Sequence, residues 1–252
     1  MNHSPTSWYP AYGEVVIVVG MSVAYGLALR VYPASRLRIA SFAAAMLVIL
    51  AVMVTPLGTL AFEYHLWAHL VQNVALAEWA PALAVAGLPP GLAAAAGHIS
   101  VVRFLTRPLV ALPLWLGSYG IWHLPPVYDA ALEHHLLLFL EHATYFTAGC
   151  LLWWSVFHEH PWRLSAGAKS AYLFAAFVFA APLGLLLALL PSPVYDFYVE
   201  APRVWGLDAL ADQQIAGITM AVSEAVVFFG VFAWFFVRFM AEEEAGYSQP
   251  RA

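Results

Sequence analysis

Residues 171–190 read AYLFAAFVFAAPLGLLLALL, a run of twenty side chains without a charge. A helix needs about 20 apolar residues to cross the hydrocarbon core of a bilayer, so this run has the length of a transmembrane helix. The same bias extends along the chain, because 63% of its 252 residues are hydrophobic and 10% are charged. Soluble domains carry about 25% charged residues. The sequence therefore predicts an integral membrane protein.

Apolar runs bounded by proline, glycine and charged residues predict about seven transmembrane helices. These runs lie near residues 14–31, 38–60, 64–86, 107–123, 134–157, 169–190 and 210–239. The stretch 88–100, LPPGLAAAAGHIS, is too short to span a bilayer and is interpreted as a loop or an interfacial segment. The connections are short, so we expect an all-α transmembrane bundle that forms a single domain over residues 1–252.

Basic residues indicate how this bundle is oriented. Arg203 lies on one side of the predicted spans, and nine basic residues lie on the other side or in the C-terminal tail. These nine are Arg30, Arg36, Arg38, Arg103, Arg107, Arg163, Lys169, Arg238 and Arg251. Cytoplasmic loops of membrane proteins are enriched in Lys and Arg. The asymmetry predicts an outer N-terminus and a cytoplasmic C-terminus, with the outer side facing the periplasm if the membrane is a bacterial inner membrane.

Several classes of function find no support in the sequence. Cys150 is the only cysteine, which excludes a disulfide framework and a Cys-x-x-Cys motif. No basic patch suggests nucleic-acid binding, and neither a Gly-rich nucleotide loop nor a Gly-x-Ser-x-Gly motif is present. The N-terminal stretch has no Lys or Arg before Arg30, so we expect its apolar segment to remain in the mature protein.

Polar side chains concentrate at the outer ends of four predicted spans. His65 and His69 are four residues apart, so on one continuous helix their imidazoles would share a face. Ionisable groups inside a membrane are costly and usually functional, which favours metal or cofactor binding over a structural hydrogen-bond network. The predicted metal ligands are His65, His69, His123, His134, His142 and Asp212. Glu141, Gln213, Asp129 and His135 are expected to orient these ligands through hydrogen bonds.

The ligand types restrict the ion that this cluster would bind. Imidazole and carboxylate groups suit copper(II), zinc or iron, whereas Cu(I) carriers favour Met and Cys, which the predicted site largely lacks. Two alternatives use the same histidines. One is a membrane metalloenzyme whose ion keeps an open coordination position. The other is an electron carrier that binds haem between His69 and His142.

Two carboxylates and several aromatic residues lie apart from the outer cluster. Glu78 and Glu224 stand roughly 20 Å below the outer ends of their predicted helices at 1.5 Å per residue. At matching depths these carboxylates could share a proton, or each could be protonated and hydrogen-bonded separately. Tyr119, Tyr195 and Tyr198 lie near predicted span ends and are interpreted as members of interfacial aromatic belts.

Three motifs, in the same order and with similar spacing, resemble those of one protein family. The first is IWHLPPVYDAAL at residues 121–132, followed by Leu140-Glu141-His142. The second is the segment with His65 and His69, and the third is LADQQIAG at residues 210–217. Together they resemble the CtaG family of membrane-embedded cytochrome c oxidase assembly factors, over residues from about 60 to 235.

The resemblance implies a role in the maturation of cytochrome c oxidase, by delivery or handling of copper on the outer side of the membrane. The implied partners are the lipid bilayer and either oxidase subunits or other assembly factors, and a homo-oligomer is left open. His134 matches the family pattern on the fifth span, whereas His135 shares a helix face with His142. The chain departs from the family at Ala68, where a Gln is usual, and at Glu78, which interrupts an apolar stretch.

Engineered cysteines at positions 5 and 165 test the predicted orientation. In Pro5→Cys and Ser165→Cys variants, we expect a membrane-impermeant thiol reagent added from the periplasm to label position 5 and to spare position 165. The reason is the asymmetry of the basic residues, which places residue 165 in the cytoplasm. Labelling of position 165 from the periplasm would contradict the orientation.

Overall fold

The computed structural model describes residues 3–247, which form helices and connecting turns without any β-strand. The prediction of an all-α fold is therefore confirmed for this part of the chain. Arg251, one of the nine basic residues used to predict the orientation, lies outside the described residues.

Fourteen α-helices and two π-helical turns account for most of the described chain. The helices are α1 Tyr12–Ala28, α2 Arg36–Val54, α3 Pro56–Glu63, α4 Leu66–Val74, α5 Ala80–Gly87, α6 Pro90–Gly97, α7 Ser100–Leu105, α8 Pro108–Trp122, α9 Pro125–Glu133, α10 His135–Phe157, α11 Ala166–Leu189, α12 Asp196–Glu200, α13 Ala209–Glu224 and α14 Gly230–Tyr247. The π turns, Ala75–Trp79 and Ala225–Phe229, join α4 to α5 and α13 to α14.

Several of these helices are suited to a lipid bilayer. Within residues 3–247, four helical segments are long and apolar enough to cross a membrane: Arg36–Val54, His135–Phe157, Ala166–Leu189 and Ala209–Ala245. A fifth candidate is the pair Leu66–Gly87 and Pro90–Gly97, which is bent by 103°. By contrast, α1 has 17 residues and α8 has 15. The predicted number of seven spans stays a prediction.

A proline divides the predicted segment 38–60 into two helices. The first, α2, ends at Val54, and α3 begins at Pro56. Proline has no N–H to donate and disfavours a helical conformation of the residue before it. Thr55 accordingly has extended backbone, and its hydroxyl oxygen accepts a hydrogen bond from the backbone of α3. The continuous helix expected here is therefore wrong.

The segment 88–100 is helical over Pro90–Gly97, so the loop alternative is wrong, and the interfacial alternative stays a prediction. Proline is tolerated at the first position of a helix, because the first N–H groups have no partner within the helix and its missing N–H removes no hydrogen bond. The alanine run that follows has a high helix propensity.

Pro81 explains the π turn between α4 and α5. In a regular α-helix residue 81 would donate its N–H to the carbonyl of Ala77, but proline lacks that hydrogen and its ring would clash with that oxygen. The indole of Trp115 donates to this Ala77 carbonyl instead, at 3.1 Å. Gly149 of α10 lies so close that a Cβ there would collide with Ala77 and Pro81. The turn thus fixes α8 and α10 against the segment that carries Glu78.

The segment from α4 to α5 lies in the middle of the bundle, in contact with α2, α10 and α13. On its other side α13 packs closely against α11. A Cβ on Gly217 would lie 2.5 Å from the carbonyl oxygen of Gly184, so these two backbones approach more closely than larger residues allow. Small residues at helix contacts permit this close approach in membrane proteins. Side chains of this central segment therefore contact other helices on three sides.

His142 and the basic side chain of Arg38 lie at opposite ends of the bundle. At one end the Arg38 guanidinium donates to two carbonyls that close α5, at 2.9 Å each, and His158 Nε2 lies 2.9 Å from the carbonyl of Val85. His142 lies near the start of α10, and His158 follows its last residue. At a rise of 1.5 Å per residue these two histidines are roughly 24 Å apart along the helix axis.

Candidate metal centre

The side chains of His69, Glu141 and His142 converge in the interior of the bundle. Each residue offers one ligand atom, and these atoms lie within 4.8 Å of one another. His69 belongs to α4, whereas Glu141 and His142 are neighbours on α10, and His69 Nε2 lies 3.9 Å from Glu141 Oε1. The three residues are 0%, 0% and 7% exposed. This group, called the central triad below, offers two imidazoles and a carboxylate, the donor types that transition metals accept.

Polar atoms of the central triad have no hydrogen-bond partner among the described residues. They are His69 Nε2, Glu141 Oε2 and both ring nitrogens of His142. Buried polar atoms are nearly always bonded, and each one without a partner costs about 1–3 kcal/mol. A cation that accepts imidazole and carboxylate lone pairs would remove this cost. The residues present therefore fit a bound metal ion.

Tyr198 fixes the tautomer of His69. The Tyr198 hydroxyl donates its one proton to the carbonyl of Ala61 at 2.5 Å, and its oxygen lies 2.8 Å from His69 Nδ1. Because that proton is already donated, Nδ1 of His69 must carry the hydrogen and donate it to the Tyr198 oxygen. His69 Nε2 then keeps a free lone pair on the side of Glu141, which is the form that a metal requires.

Asn73 positions the carboxylate of the central triad. Its side-chain amide donates to Glu141 Oε1 at 3.0 Å, which leaves Oε2 free. Asn73 follows His69 by four residues on α4 and so lies on the same helix face. Asn73 was not predicted as a site residue, although its four-residue spacing from His69 is a signal that could have indicated it.

His123 lies beside the central triad and is not a member of it. Its Nδ1 donates to the carbonyl of Tyr119 at 2.8 Å, and its Nε2 is buried without a partner among the described residues. The ring of Tyr128 lies between the two sites, with its centroid 5.9 Å from His123 and 5.1 Å from His69. His123 therefore has a lone pair available one aromatic ring away from His69.

The expectation that His65 and His69 share one helix face is wrong. His65 has extended backbone, with φ −131° and ψ 128°, and the helix starts after it at Leu66. The Asp212 carboxylate accepts the N–H groups of Leu66 and Trp67 at 2.9 and 3.0 Å, and His65 Nδ1 lies 3.3 Å from it. The first N–H groups of a helix need such an acceptor. Asp212 caps α4 from another helix, and the structure does not bring His65 or Asp212 into the central triad.

His134 and His135 lie outside the central triad. His134 has extended backbone before α10, His135 is the first residue of that helix, and both side chains are exposed. Glu141 and His142 follow nearly two turns later on the buried side of α10. The orientation of α10 therefore places Glu141 and His142 in the interior and leaves His134 and His135 at the surface.

Asp129 and Gln213 hold the connection that carries Tyr198. Asp129 accepts the first two N–H groups of α12 at 3.2 Å each, so it caps the helix on which Tyr198 lies. Burial raises the pKa of the Asp129 carboxyl above its usual value, and the two N–H donors oppose that rise. Gln213 accepts the N–H of Val194 at 2.8 Å and donates to the carbonyls of residues 187 and 192. Both residues fix backbone, and neither bonds an imidazole of the central triad.

Three tyrosines that were interpreted as interfacial lie in the interior. Tyr119, Tyr195 and Tyr198 are 2%, 1% and 2% exposed, so the belt interpretation is wrong for them. The Tyr195 ring stacks on that of Tyr128 at 4.2 Å, and its hydroxyl donates to the carbonyl of His123 at 3.0 Å. These tyrosines form the wall around the histidines.

Glu78 and Glu224 form a separate pair of buried carboxylates. Glu78 lies within the first π turn, and Glu224 is the residue before the second. The Tyr119 hydroxyl donates to Glu78 Oε1 at 2.9 Å, whereas both Glu224 oxygens have no hydrogen-bond partner in the described part of the chain. The two carboxyl groups are close enough to interact electrostatically. Whether they share a proton stays a prediction.

The family model described as cytochrome c oxidase caa3 assembly factor, Caa3_CtaG, matches residues 23–242. The chain belongs to this family. The matched range includes the whole central triad and the three motifs on which the resemblance was based, so the resemblance is confirmed. No solved structure matches the chain.

Mycobacterial proteins are among the relatives of this Caa3_CtaG chain. A protein of Mycobacterium leprae (strain TN), described as uncharacterized, is 28% identical over 182 residues, which cover 64% of this chain and 27% of the relative. An uncharacterized protein of Mycobacterium bovis is 28% identical over 123 residues, covering 48% of this chain and 19% of the relative. The chain thus matches a minor part of these longer proteins.

Asp212→Ala tests whether this carboxylate acts as a helix cap. We expect the free energy of unfolding of the metal-free protein to fall by about 1–3 kcal/mol, because two buried N–H groups lose their acceptor. Thermal unfolding in detergent measures this change. Asp208→Ala is the matched control, since it removes an exposed cap of α13 and should have a smaller effect. Unchanged stability of metal-free Asp212→Ala would contradict the cap and favour a ligand role.

Proposed function

We propose that this Caa3_CtaG protein binds a copper ion at the central triad and passes it on during assembly of cytochrome c oxidase. The observation that carries the proposal is the convergence of three buried ligand atoms within 4.8 Å, in residues several of whose polar atoms have no hydrogen-bond partner in the described part of the chain. Family membership suggests the process, which is oxidase assembly. The two imidazoles and the carboxylate suggest metal binding. The receiving partner is an oxidase subunit or another assembly factor.

Copper is the cargo of this site, and the number of ligands suits its transfer. A closed structural site in proteins usually holds its metal with four side chains, whereas an open site keeps a free position. Two imidazoles and one carboxylate leave such a position for a ligand from the partner. His123 Nε2, beyond the Tyr128 ring, is a further free donor on the same side of the bundle.

Copper is proposed over the other ions because the family assembles cytochrome c oxidase. The ligand types alone do not select it. Zinc and iron accept the same ligands. A haem between His69 and His142 fits less well, because Phe62 packs on both imidazoles at 5.7 and 6.0 Å and Tyr128 packs on His69 at 5.1 Å. Metal analysis and an absorption spectrum of the purified protein distinguish these cases, and a Soret band would contradict copper in favour of haem.

The proposed location follows from the distribution of charge. We place the chain in the bacterial inner membrane as a single seven-span domain, with the N-terminus and the central triad on the periplasmic side. The excess of basic residues at the other end of the bundle supports this orientation. Copper would then be received and released on the outer side, without crossing the membrane.

His69→Ala tests the site and the function together. We expect the variant to insert normally but to lose its copper and to support no oxidase maturation, because one of two imidazole ligands is gone. Copper content after mild purification and oxidase activity of the membranes are the measurements. His134→Ala is the matched control, since this exposed histidine should leave both unchanged. Normal copper content and oxidase activity in a His69→Ala, His142→Ala double variant would overturn the proposal.

Tyr198→Phe tests the tautomer of His69. Without the hydroxyl, His69 Nδ1 loses its acceptor and the Nε2–H tautomer becomes accessible, so copper affinity should fall about 10–100-fold. Tyr195→Phe is the control, because it removes an equally buried hydroxyl that does not contact His69. Competition with a copper chelator measures both affinities. Equal affinities of the two variants would contradict the assignment of the tautomer.

A further inference from the structure

A cavity of about 330 Å³ lies between α1, α2 and α10, beside the central triad. Glu14 and Met21 of α1, Met53 of α2 and His142 of α10 contribute its polar and sulfur-bearing walls. Thr147 and aliphatic and aromatic side chains from the same helices and from the first π turn form the remainder. The cavity is called the α1 cavity below.

Two of the six methionines in the chain line the α1 cavity. Thioether sulfur is a soft donor that selects Cu(I), whereas zinc and copper(II) prefer nitrogen and oxygen ligands. Met53 is 1% exposed, and Met21 faces the cavity from the neighbouring helix. From the sequence we predicted a site that largely lacks methionine, whereas Met21 and Met53 reach the cavity from α1 and α2. The fold brings both kinds of donor together.

His142 belongs to the α1 cavity and to the central triad at the same time. It offers one of the three converging ligand atoms, and its ring also lines the cavity. Both of its ring nitrogens are buried without a hydrogen-bond partner among residues 3–247. An ion in the cavity can therefore reach a member of the triad without passing another layer of side chains.

The polar groups of the α1 cavity distinguish a cation from an acyl chain as its occupant. Glu14 is half-buried and is the acidic residue of the first turn of α1. A lipid tail would leave the His142 nitrogens, which have no hydrogen-bond partner among residues 3–247, without one, and this is costly in an apolar environment. A cation would interact favourably with these nitrogens and with the Glu14 carboxyl. The chemistry of the walls thus matches a soft cation.

We propose that the α1 cavity is the uptake route for Cu(I), in which Met21 and Met53 bind the ion and His142 receives it for the central triad. The inference rests on the proposed function and adds the oxidation state of the ion and the direction from which it arrives. The ion stays Cu(I) throughout, and the two imidazoles of the central triad hold it there, since imidazole nitrogen is also a copper ligand. Each transfer replaces a thioether ligand by an imidazole nitrogen, so no electron or proton donor is needed.

A Met21→Leu, Met53→Leu double variant tests the route. Leucine keeps the apolar volume and removes the sulfur, so the fold should be retained. The full-length, metal-free protein in detergent is given Cu(I) under anaerobic conditions, and its transfer from a chromogenic chelator is followed. We expect loading to slow about tenfold or more, as for other residues that support a metal site. The final stoichiometry should not change, because the central triad is intact.

Two controls and a second variant make the result specific. Met46→Leu changes another buried methionine of α2 that does not line the cavity, and it should load like the natural sequence. Loading with Zn²⁺ should be the same in the natural sequence and in the methionine variants. Glu14→Gln keeps the shape of the side chain and removes its charge, so it should also slow Cu(I) loading.

Each outcome separates the route from the proposed function. Loading of Cu(I) at the natural rate in the double variant and in Glu14→Gln would overturn the route and leave the copper site standing. Slower uptake of Zn²⁺ and Cu(I) alike in the methionine double variant would also overturn it, because thioethers would not be the cause. Failure of the unaltered chain to bind copper would overturn the proposed function and the route with it.

Discussion

The carboxylate of Asp212 accepts the first two N–H groups of α4, and the geometry of the candidate metal centre depends on this interaction. In an apolar interior those donors would otherwise have no partner. The cap fixes where α4 begins and how it is rotated against α13. His69 and Asn73 lie one and two turns further on, so the same rotation directs both toward Glu141.

Several polar residues of the family motifs stabilise the backbone around the site and do not touch the central triad. Asp129 caps α12, Gln213 fastens the connection before it, and α12 carries Tyr198. The consequence for the site is indirect but specific. These contacts place a hydroxyl at 2.8 Å from His69 Nδ1, and this hydroxyl determines which ring nitrogen keeps its lone pair.

Composition and apolar runs were sufficient to predict an all-α membrane protein, and three sequence motifs indicated the family by resemblance. The predicted cluster of polar residues included every member of the central triad. The exact donors could not be predicted. A shared face for His65 and His69 requires one continuous helix, but α3 ends at Glu63 and α4 begins only at Leu66. Glu141 was predicted to orient the ligands and not to be one of them. Its closeness to His69 depends on how α10 packs on α4, which the sequence does not reveal. Tyr198 contacts His69 across 129 positions, which no local pattern reveals.

Binding and release place opposite demands on a metal site, and the bundle divides them between its two sides. On one side, close contact between Gly184 and Gly217 and the cap by Asp212 hold α4, α11 and α13 in a fixed arrangement. On the other side, α1 buries only Val18 and Tyr25 within its helical residues. Segments with few buried contacts open at low free-energy cost. The helix that lines the cavity beside His142 is therefore held by fewer buried side chains than α4, which carries His69.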